Sequence, residues 1–196
     1  MIGRSCPVFT NNEVCNNECI GICIKEHSTP ILIDNMIREN ASYGLKLRAC
    51  CSVHVQGCSF IGNRRAGMCI GDESNVIVGH CLFDPGRAKT ELSTQQIGIS
   101  MHDSSSAMIQ NSILREHSVS NIVMQNVSVA TMTSLEVSHS PYGLKLHDHA
   151  RATLRHNSLS CHLVANILVS DNADLRASGN AIIDGRGCGV KAVHSS

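Results

Sequence analysis

The segment GLKL occupies residues 44–47 and recurs at residues 143–146. Six other segments have the same form, in which a Gly or Asn is followed by an apolar residue, any residue and a second apolar residue. The eight lead residues are Gly21, Gly44, Gly67, Gly98, Asn121, Gly143, Asn166 and Gly189. Steps of 23, 23, 31, 23, 22, 23 and 23 residues separate them, so the chain is an internal repeat of about 23 residues.

Within each repeat, apolar residues alternate with other residues, which is typical of β-strands and not of helices. The first and third positions after every lead residue are apolar, as in Leu45 and Leu47. A second strand carries small or apolar residues nine and eleven positions after the lead, as at Val53 and Val55. A third strand presents a large apolar residue at position sixteen, at Ile37, Phe60, Phe83, Leu114, Val137, Leu159 and Ile182. We expect these side chains to form the core.

A column of mostly small or polar residues lies two positions before the third-strand apolar residue. Its members are Asn35, Cys58, Cys81, Ser112, Leu135, Asn157 and Asn180. Asn tolerates the left-handed backbone of a tight corner, and stacked Asn side chains can hydrogen-bond along a column. Three strands and three corners in about 23 residues describe one turn of a parallel β-solenoid, whose coils stack about 4.8 Å apart. We therefore expect one all-β domain over residues 1–196, with about eight coils and an eight-residue insertion within residues 85–96.

The repeat resembles the right-handed parallel β-helix repeat family over residues 8–193. That family includes pectate-lyase-like enzymes and the CASH-type repeats found in some F-box adaptor proteins. The resemblance implies that the strand after each lead residue belongs to the first sheet. It also implies that the Asn corner joins the second and third sheets and that the insertion borders the first sheet. By the same resemblance, an enzyme of this fold would catalyse on the outward face of the first sheet.

The outward positions of the predicted first sheet carry cations and no acids. The candidate binding residues at the second and fourth positions after the lead are Lys25, Lys46, Arg48, His102, Lys145 and Lys191. Calcium-dependent lyase chemistry needs clustered carboxylates, and glycoside hydrolysis needs two opposed carboxylates. The face therefore favours binding over catalysis.

Acids appear one position later, at Glu26, Asp72, Asp103, Asp148 and Asp171, with Asn126 in the gap. Asp148 and Asp171 lie on adjacent coils, and with His147 and His149 they are the only credible acid/base set for an enzyme. Asp and Asn at the end of a strand also bond to their own backbone. We favour this turn role, because the column runs along the whole chain.

Another column, four residues before each lead residue, contains His117, His139 and His162 on three consecutive coils. Neutral imidazoles bind transition metals, but three in a straight line span about 10 Å, too far for one tetrahedral site. We favour a structural ladder that continues the Asn residues earlier in the column, and we expect stability to fall as the pH drops below about 6.5.

The composition excludes several classes of protein. Sixteen Lys and Arg balance sixteen Asp and Glu, so there is no global positive field for nucleic acid or an anionic membrane. No apolar run approaches the roughly 20 residues of a membrane span. Eleven cysteines, an odd number, favour reduced thiols in a cytoplasmic compartment.

The ends of the pattern are informative about partners. Asn12 and Val14 already match the corner and third strand of a preceding coil, and residues 189–196 begin a further coil. Uncapped solenoid ends expose apolar core and unpaired strand edges, so we expect the rest of a longer chain, a second copy or a partner protein to cover them. The sequence thus favours a non-catalytic scaffold or protein-interaction module that uses no cofactor. The alternative is a carbohydrate-binding or carbohydrate-active β-helix that acts on a polysaccharide.

Overall fold

The computed structural model describes residues 3–86 and 95–194, which form short β-strands and no helix. The strands build three sheets of eight strands each, in which every inner strand pairs with its counterparts one repeat before and one repeat after it. The pairing is parallel throughout, as between residues 43–47 and 66–70. Each repeat therefore forms one coil, and the predicted all-β solenoid of about eight coils is confirmed.

The first sheet contains the strands that follow the lead residues: β3 (Ile22–Ile24), β6 (Tyr43–Leu47), β9 (Ala66–Ile70), β12 (Ile97–Met101), β15 (Ser120–Met124), β18 (Tyr142–Leu146), β21 (Ala165–Ser170) and β24 (Cys188–Val193). The second sheet contains β1 (Val8–Thr10), β4 (Ile31–Ile33), β7 (Ser52–Gln56), β10 (Asn75–Gly79), β13 (Ser106–Gln110), β16 (Val129–Thr133), β19 (Arg151–Arg155) and β22 (Asp174–Ser178). The third sheet contains β2 (Glu13–Cys15), β5 (Met36–Arg38), β8 (Ser59–Ile61), β11 (Leu82–Asp84), β14 (Ile113–Arg115), β17 (Glu136–Ser138), β20 (Ser158–Ser160) and β23 (Ala181–Ile183).

The register confirms the predicted columns. Met68 pairs with Leu45 on one side and with Ile99 on the other, so the first apolar position of each repeat stacks on the next. In the third sheet, Phe60 and Phe83 stack with ring centroids 4.8 Å apart and an angle of 5° between the ring planes. Both rings are fully buried, so coil spacing sets the packing of the core.

Each corner contains residues with left-handed backbone. At the corner between the second and third sheets, these residues include Asp34 and Asn111, each one position before the predicted column. The prediction that Asn35 itself takes the left-handed backbone is therefore wrong. Its side chain instead points into the coil, where it donates to Phe9 O and accepts from Asn12, and the residue before it makes the turn.

The predicted insertion coincides largely with residues 87–94, which lie outside the described residues. Within the described ranges, no helix is long and apolar enough to cross a membrane. The final coil is more open to solvent than the inner coils: Val190 is 53% exposed, whereas Leu144, two coils earlier in the same column, is 1% exposed.

Candidate functional site

Three cations lie close together on the outward face of the first sheet. Leu45 and Leu47 are buried, so Lys46 between them points outward, and Arg48 follows at the end of the strand. Lys25 occupies the same column as Arg48 one coil earlier, next to the Arg48 N–H that donates to Ile24 O at 3.0 Å. These cations are the part of the predicted binding set that the fold brings together.

The other predicted binding residues lie further along the solenoid axis. His102 is two coils from Lys46, Lys145 is four coils away and Lys191 is six coils away. At about 4.8 Å per coil these steps correspond to roughly 10, 19 and 29 Å. The predicted set therefore follows one face of the molecule but does not converge on one point.

Two of the lysines lie over tyrosine rings. The Nζ atom of Lys46 is 4.5 Å from the centre of the Tyr43 ring, and that of Lys145 is 4.7 Å from the centre of the Tyr142 ring. Both pairs come from the repeated segment YGLKL, in which the Tyr and the Lys are half-buried and the residues between them are buried. A cation held over an aromatic face keeps a fixed position.

Within residues 3–86 and 95–194, no ion pair joins Lys25, Lys46 or Arg48 to an acid, whereas His102 Nδ1 lies 2.6 Å from an oxygen of Asp103. By contrast, two arginines of the third sheet do form ion pairs: Arg38 contacts Glu13 at 2.5 Å, and Arg115 contacts Asp84 at 2.7 Å. Lys25, Lys46 and Arg48 are therefore a small group of cations without ion pairs among the described residues, beside a corner column that carries Glu26 and Asp72.

A cleft of about 610 Å³ opens beside this face, where the chain enters the first sheet. Its lining residues are Cys19, Ala41, Ser42, Arg64, Arg65 and Gln96. The backbone of Arg64 donates to Asn40 O at 3.0 Å and that of Arg65 donates to Ser42 O at 2.8 Å, so the coil spacing fixes both arginines. Both are exposed and the lining contains no acid.

The acids of the column after the first sheet bind backbone at the corner, but the N–H groups belong to the preceding coil and not, as predicted, to their own turn. Asp103 and Asp148 both have left-handed backbone. Asp103 accepts the Asp72 N–H at 3.2 Å and Asp148 accepts the Asn126 N–H at 2.9 Å, so each carboxylate binds the corner of the preceding coil. Asp171 accepts the Asp148 N–H at 3.3 Å in the same way.

The alternative acid/base set is only partly assembled. The Nδ1 atom of His147 lies 2.6 Å from Ser170 Oγ and 4.0 Å from an Asp171 oxygen. Burial lowers the pKa of His147, and the charge of Lys145 lowers it further. His149 exposes its side chain on the far side of the corner. The groups that face each other are therefore a histidine, a serine and a carboxylate already bonded to backbone.

The predicted stack of three histidines is wrong. His139 has left-handed backbone and an exposed side chain, and the buried Ser140 takes its place. The step between Asn121 and Gly143 is 22 residues, and the missing residue falls after Ser140. His117 and His162 are consequently two coils apart. In the described part of the chain, no group of three or more His, Cys, Asp or Glu side chains could hold a metal ion.

A continuous hydrogen-bonded chain of side chains, called here the polar ladder, replaces that stack. Its members are Asn17, Asn40, Asn63, Gln95, His117, Asn121, His162 and Asn166. Gln95 Oε1 accepts from the Asn63 N–H at 3.0 Å, so its amide NH₂ faces His117 Nε2 at 2.9 Å. His117 therefore carries its proton on Nδ1, which donates to Asn121 at 2.6 Å.

Both ladder histidines are buried and neutral. Burial lowers the pKa of His117 from 6.5 to about 4, and burial also lowers the pKa of His162. His162 repeats the geometry of His117, since its Nε2 lies 3.1 Å from the Asn121 amide and its Nδ1 lies 2.5 Å from Asn166 Oδ1. The ladder is thus a structural element in which no ring nitrogen is left for a ligand.

A second histidine contact lies on the outward face of the first sheet. The Nε2 atom of His102 is 3.4 Å from Cys69 Sγ, and its Nδ1 atom is 2.6 Å from an oxygen of Asp103. The hydrogen bond from His102 holds the pKa of Asp103 below its usual value. A thiol, an imidazole and a carboxylate are therefore connected in series.

The family model described as right handed beta helix region matches residues 1–90 and 91–196. The chain belongs to the right-handed β-helix family. Among solved structures, the crystal structure of the periplasmic alginate epimerase AlgG resembles this β-helix, with a TM-score of 0.76 and 16% sequence identity. The match covers 87% of this chain and 39% of that chain, and at this identity it shows a shared fold alone. A search of curated proteins found no significant sequence match.

Sequence reasoning missed three residues of this β-helix that bear on function. Arg64 and Arg65 precede the lead residue Gly67, and the paired arginines are a visible signal in the sequence. Cys69 lies in an outward column, but its contact with His102 depends on where that side chain turns. The column alone does not contain this information.

Proposed function

We propose that this β-helix is a non-catalytic interaction module that binds an extended acidic segment of a partner protein on the outward face of its first sheet. The observation that supports the proposal is a cluster of cations without acidic partners among the described residues. The cluster consists of Lys25, Lys46, Arg48, Arg64 and Arg65 and is called here the basic cluster.

The chemistry of the basic cluster fits carboxylates. Arg64 and Arg65 present guanidinium groups beside a cleft that also contains the Ser42 hydroxyl. A guanidinium group binds a carboxylate through two parallel hydrogen bonds, and it loses less hydration than an ammonium group. At about 4.8 Å per coil, an extended acidic peptide that runs across the first coils would meet Lys25, then Lys46 and Arg48, and then Arg64 and Arg65.

The positions of the acids support a role without chemistry. Asp103 and Asp148 already bind backbone N–H groups of neighbouring corners. A carboxylate in such a bond holds the corner in place and is poorly suited to serve as a nucleophile or general base.

The module would act in a reducing compartment, in which cysteines remain thiols. The thiols of Cys58 and Cys81 would then keep the hydrogen bonds that they donate to Gln56 O and Gly79 O.

Fluorescence anisotropy with a labelled oligoglutamate peptide tests the proposal. The double variant Arg64→Glu with Arg65→Glu should weaken binding at least tenfold, and binding should weaken as salt is added. The matched control is Arg151→Glu with Arg155→Glu, which makes the same change in charge on exposed residues of the second sheet. Equal loss in both double variants, or no binding by the unaltered chain, would reject the basic cluster as the site.

A second candidate is binding or modification of an acidic polysaccharide. The Tyr43–Lys46 and Tyr142–Lys145 pairs favour it, because an aromatic face beside a cation suits a sugar ring that carries a carboxylate. The solved structure that this chain resembles in fold is that of an alginate epimerase. Alginate oligosaccharides would replace the peptide in the same assay, and cleavage or epimerisation of alginate that Asp148→Asn abolishes would establish the enzyme instead.

The assembly part of the proposal has a separate test. Size-exclusion chromatography with light scattering measures the mass of the purified chain, for which a monomer is 21.1 kDa. A concentration-dependent mass above that value supports association through the exposed coil that contains Val190. A monomeric mass at all concentrations would exclude homo-oligomerisation, so that a partner protein or the rest of a longer chain would have to cover this coil.

A further inference from the structure

The outward face of the first sheet contains one thiol with an imidazole against it. Cys69 Sγ lies 3.4 Å from His102 Nε2, across two adjacent coils. Because His102 Nδ1 faces the carboxylate of Asp103 at 2.6 Å, the ring proton is on Nδ1 and the Nε2 lone pair faces the thiol. The Asp72 N–H donates to the same carboxylate at 3.2 Å and fixes it.

The sequence around these residues explains why the contact forms here and not elsewhere. Gly71 occupies the position beneath His102 in the preceding coil, and a Cβ atom at Gly71 would collide with the imidazole ring. The missing side chain lets the ring lie over the preceding coil and reach Cys69. His147 occupies the same column two coils later and points the other way, to Ser170.

We propose that Cys69 is a nucleophilic thiol activated by His102 and Asp103, and that it forms covalent adducts with small electrophiles such as α,β-unsaturated carbonyl compounds. The arrangement contains the three parts that a cysteine nucleophile requires: a thiol, a base within hydrogen-bond distance, and a group that orients the base. This inference does not depend on the proposed binding role.

The reaction balances without a further reagent. His102 Nε2 takes the proton from Cys69 Sγ as the sulfur attacks the β-carbon of the unsaturated carbonyl compound. A carbon–sulfur bond forms, the carbon–carbon double bond becomes an enolate, and the enolate takes the proton back from His102. Asp103 stabilises the imidazolium ring between these two proton transfers.

The surroundings of Cys69 suit a base-assisted reaction more than a permanent thiolate. Burial raises the pKa of the Cys69 thiol, while the charges of Lys46 and Arg48 lower it. The residue is only 2% exposed, but it points outward from the sheet, beneath the side chains of neighbouring coils. An electrophile must therefore be small enough to pass between these side chains to reach the sulfur.

The experiment is alkylation of the native protein with limiting iodoacetamide, in which the sulfur displaces iodide, followed by mass spectrometry of each cysteine peptide. Cys81 is the internal control, because it is also 2% exposed but lies in the core, where burial raises the pKa of its thiol to about 12. We expect Cys69 to react at least tenfold faster than Cys81.

The variant His102→Gln should lower the rate at Cys69 about 100-fold, the size of a general-base effect. The matched control is His147→Gln, which removes the other imidazole of the same column and should leave the rate unchanged. Thermal melting of both variants confirms that they are folded. An unchanged rate in His102→Gln would refute the proposal, and a faster rate would also refute it because His102 would then only cover the thiol.

The pH dependence gives a second readout that a structural role does not move. The pH profile of the alkylation rate in the unaltered protein should differ in shape from that of His102→Gln, in which only ionisation of the thiol supplies the nucleophile. The charged groups that face the site are Lys46, Arg48, Asp72 and Asp103, and both variants keep all four. Identical profiles would overturn the assignment of His102 as the base.

Discussion

Protonation of the polar ladder should make the protein unstable in mild acid. An unfolded histidine takes up a proton near pH 6.5, whereas His117 in the folded chain does so only near pH 4. Between these values the unfolded state binds more protons, so the free energy of unfolding falls as the pH falls. The folded ring cannot take the proton at lower cost, because the amide of Gln95 points its N–H at the Nε2 atom.

The size of the effect follows from the two pKa values. Lowering the pH from 7.5 to 5.0 should remove about 2 kcal/mol of stability through His117 alone. His162, whose pKa burial also lowers, adds to the loss in the same direction. For a chain of 196 residues, 2 kcal/mol lowers the melting temperature by roughly 4–8 °C.

Urea unfolding followed by circular dichroism at pH 7.5 and 5.0 measures this loss in the unaltered protein and in His117→Gln. Gln can accept and donate as the neutral ring does but does not titrate, so the variant should lose about 2 kcal/mol less over this pH range. His139→Gln is the control, because His139 is exposed and should keep the full pH dependence. The reasoning fails if the unaltered protein is equally stable at both pH values or if His139→Gln is the variant that flattens the curve.

Four further substitutions, one of which is a control, test the packing of the coils by thermal melting and urea unfolding. Gly143→Ala should destabilise the fold by about 1–3 kcal/mol, because the new Cβ would lie 2.5 Å from Asn166 O. The control is Gly189→Ala, where the nearest atom is 3.5 Å from the new Cβ and stability should change by less than about 0.5 kcal/mol. Equal losses of stability in the two variants would contradict this reasoning. Phe60→Ala should cost about 3–5 kcal/mol because it removes half of a buried ring stack, and a loss below about 1 kcal/mol would count against that packing. Asn157→Ala should cost about 1–3 kcal/mol, because it leaves the buried Leu135 N–H without its acceptor at 2.9 Å; a neutral result would show that water replaces the side chain.

The coil architecture could be predicted from the sequence because the strands have a period of two and the repeat length is nearly constant. Once Leu45 and Met68 are 23 residues apart and both are followed by the same alternation, one register satisfies all three sheets. The buried third-strand residues follow for the same reason. Physical stacking then converts a sequence column into a row of contacts.

The polar ladder could not be predicted in the same way, because the deletion in one repeat lies in a connection and not in a strand. Counted backward from Gly143, His139 falls in the column; counted forward from Asn121, Ser140 does. The structure follows the forward count, since the connection at Ser140 and Pro141 absorbs the change before β18 begins at Tyr142. Strand register is costly to shift by one residue, whereas a solvent-facing connection shortens easily.

The outward side chains were the least predictable part of the site. Column membership places Cys69 and His102 on the same face, but their contact requires the open space above Gly71. Arg64 and Arg65 lie outside any strand, so period-two reasoning did not select them. Side-chain direction at such positions is set by local space, which the alternation of apolar residues does not encode.

The spacing of the cations decides how a chain with no net charge can recognise an acidic partner. Screening at physiological salt limits electrostatic attraction between exposed charges to about 8 Å, which is less than two coil spacings. Lys25, Lys46 and Arg48 fall within that distance of a neighbour in the basic cluster, whereas Lys145 is four coils, or about 19 Å, from Lys46. The proposed binding would therefore be local to the first coils and formed by direct contact, because a chain with no net charge does not steer a partner from further away. A partner that also contacts Lys145 must be long enough to bridge the intervening coils, and this requirement favours an extended segment over a compact acidic surface.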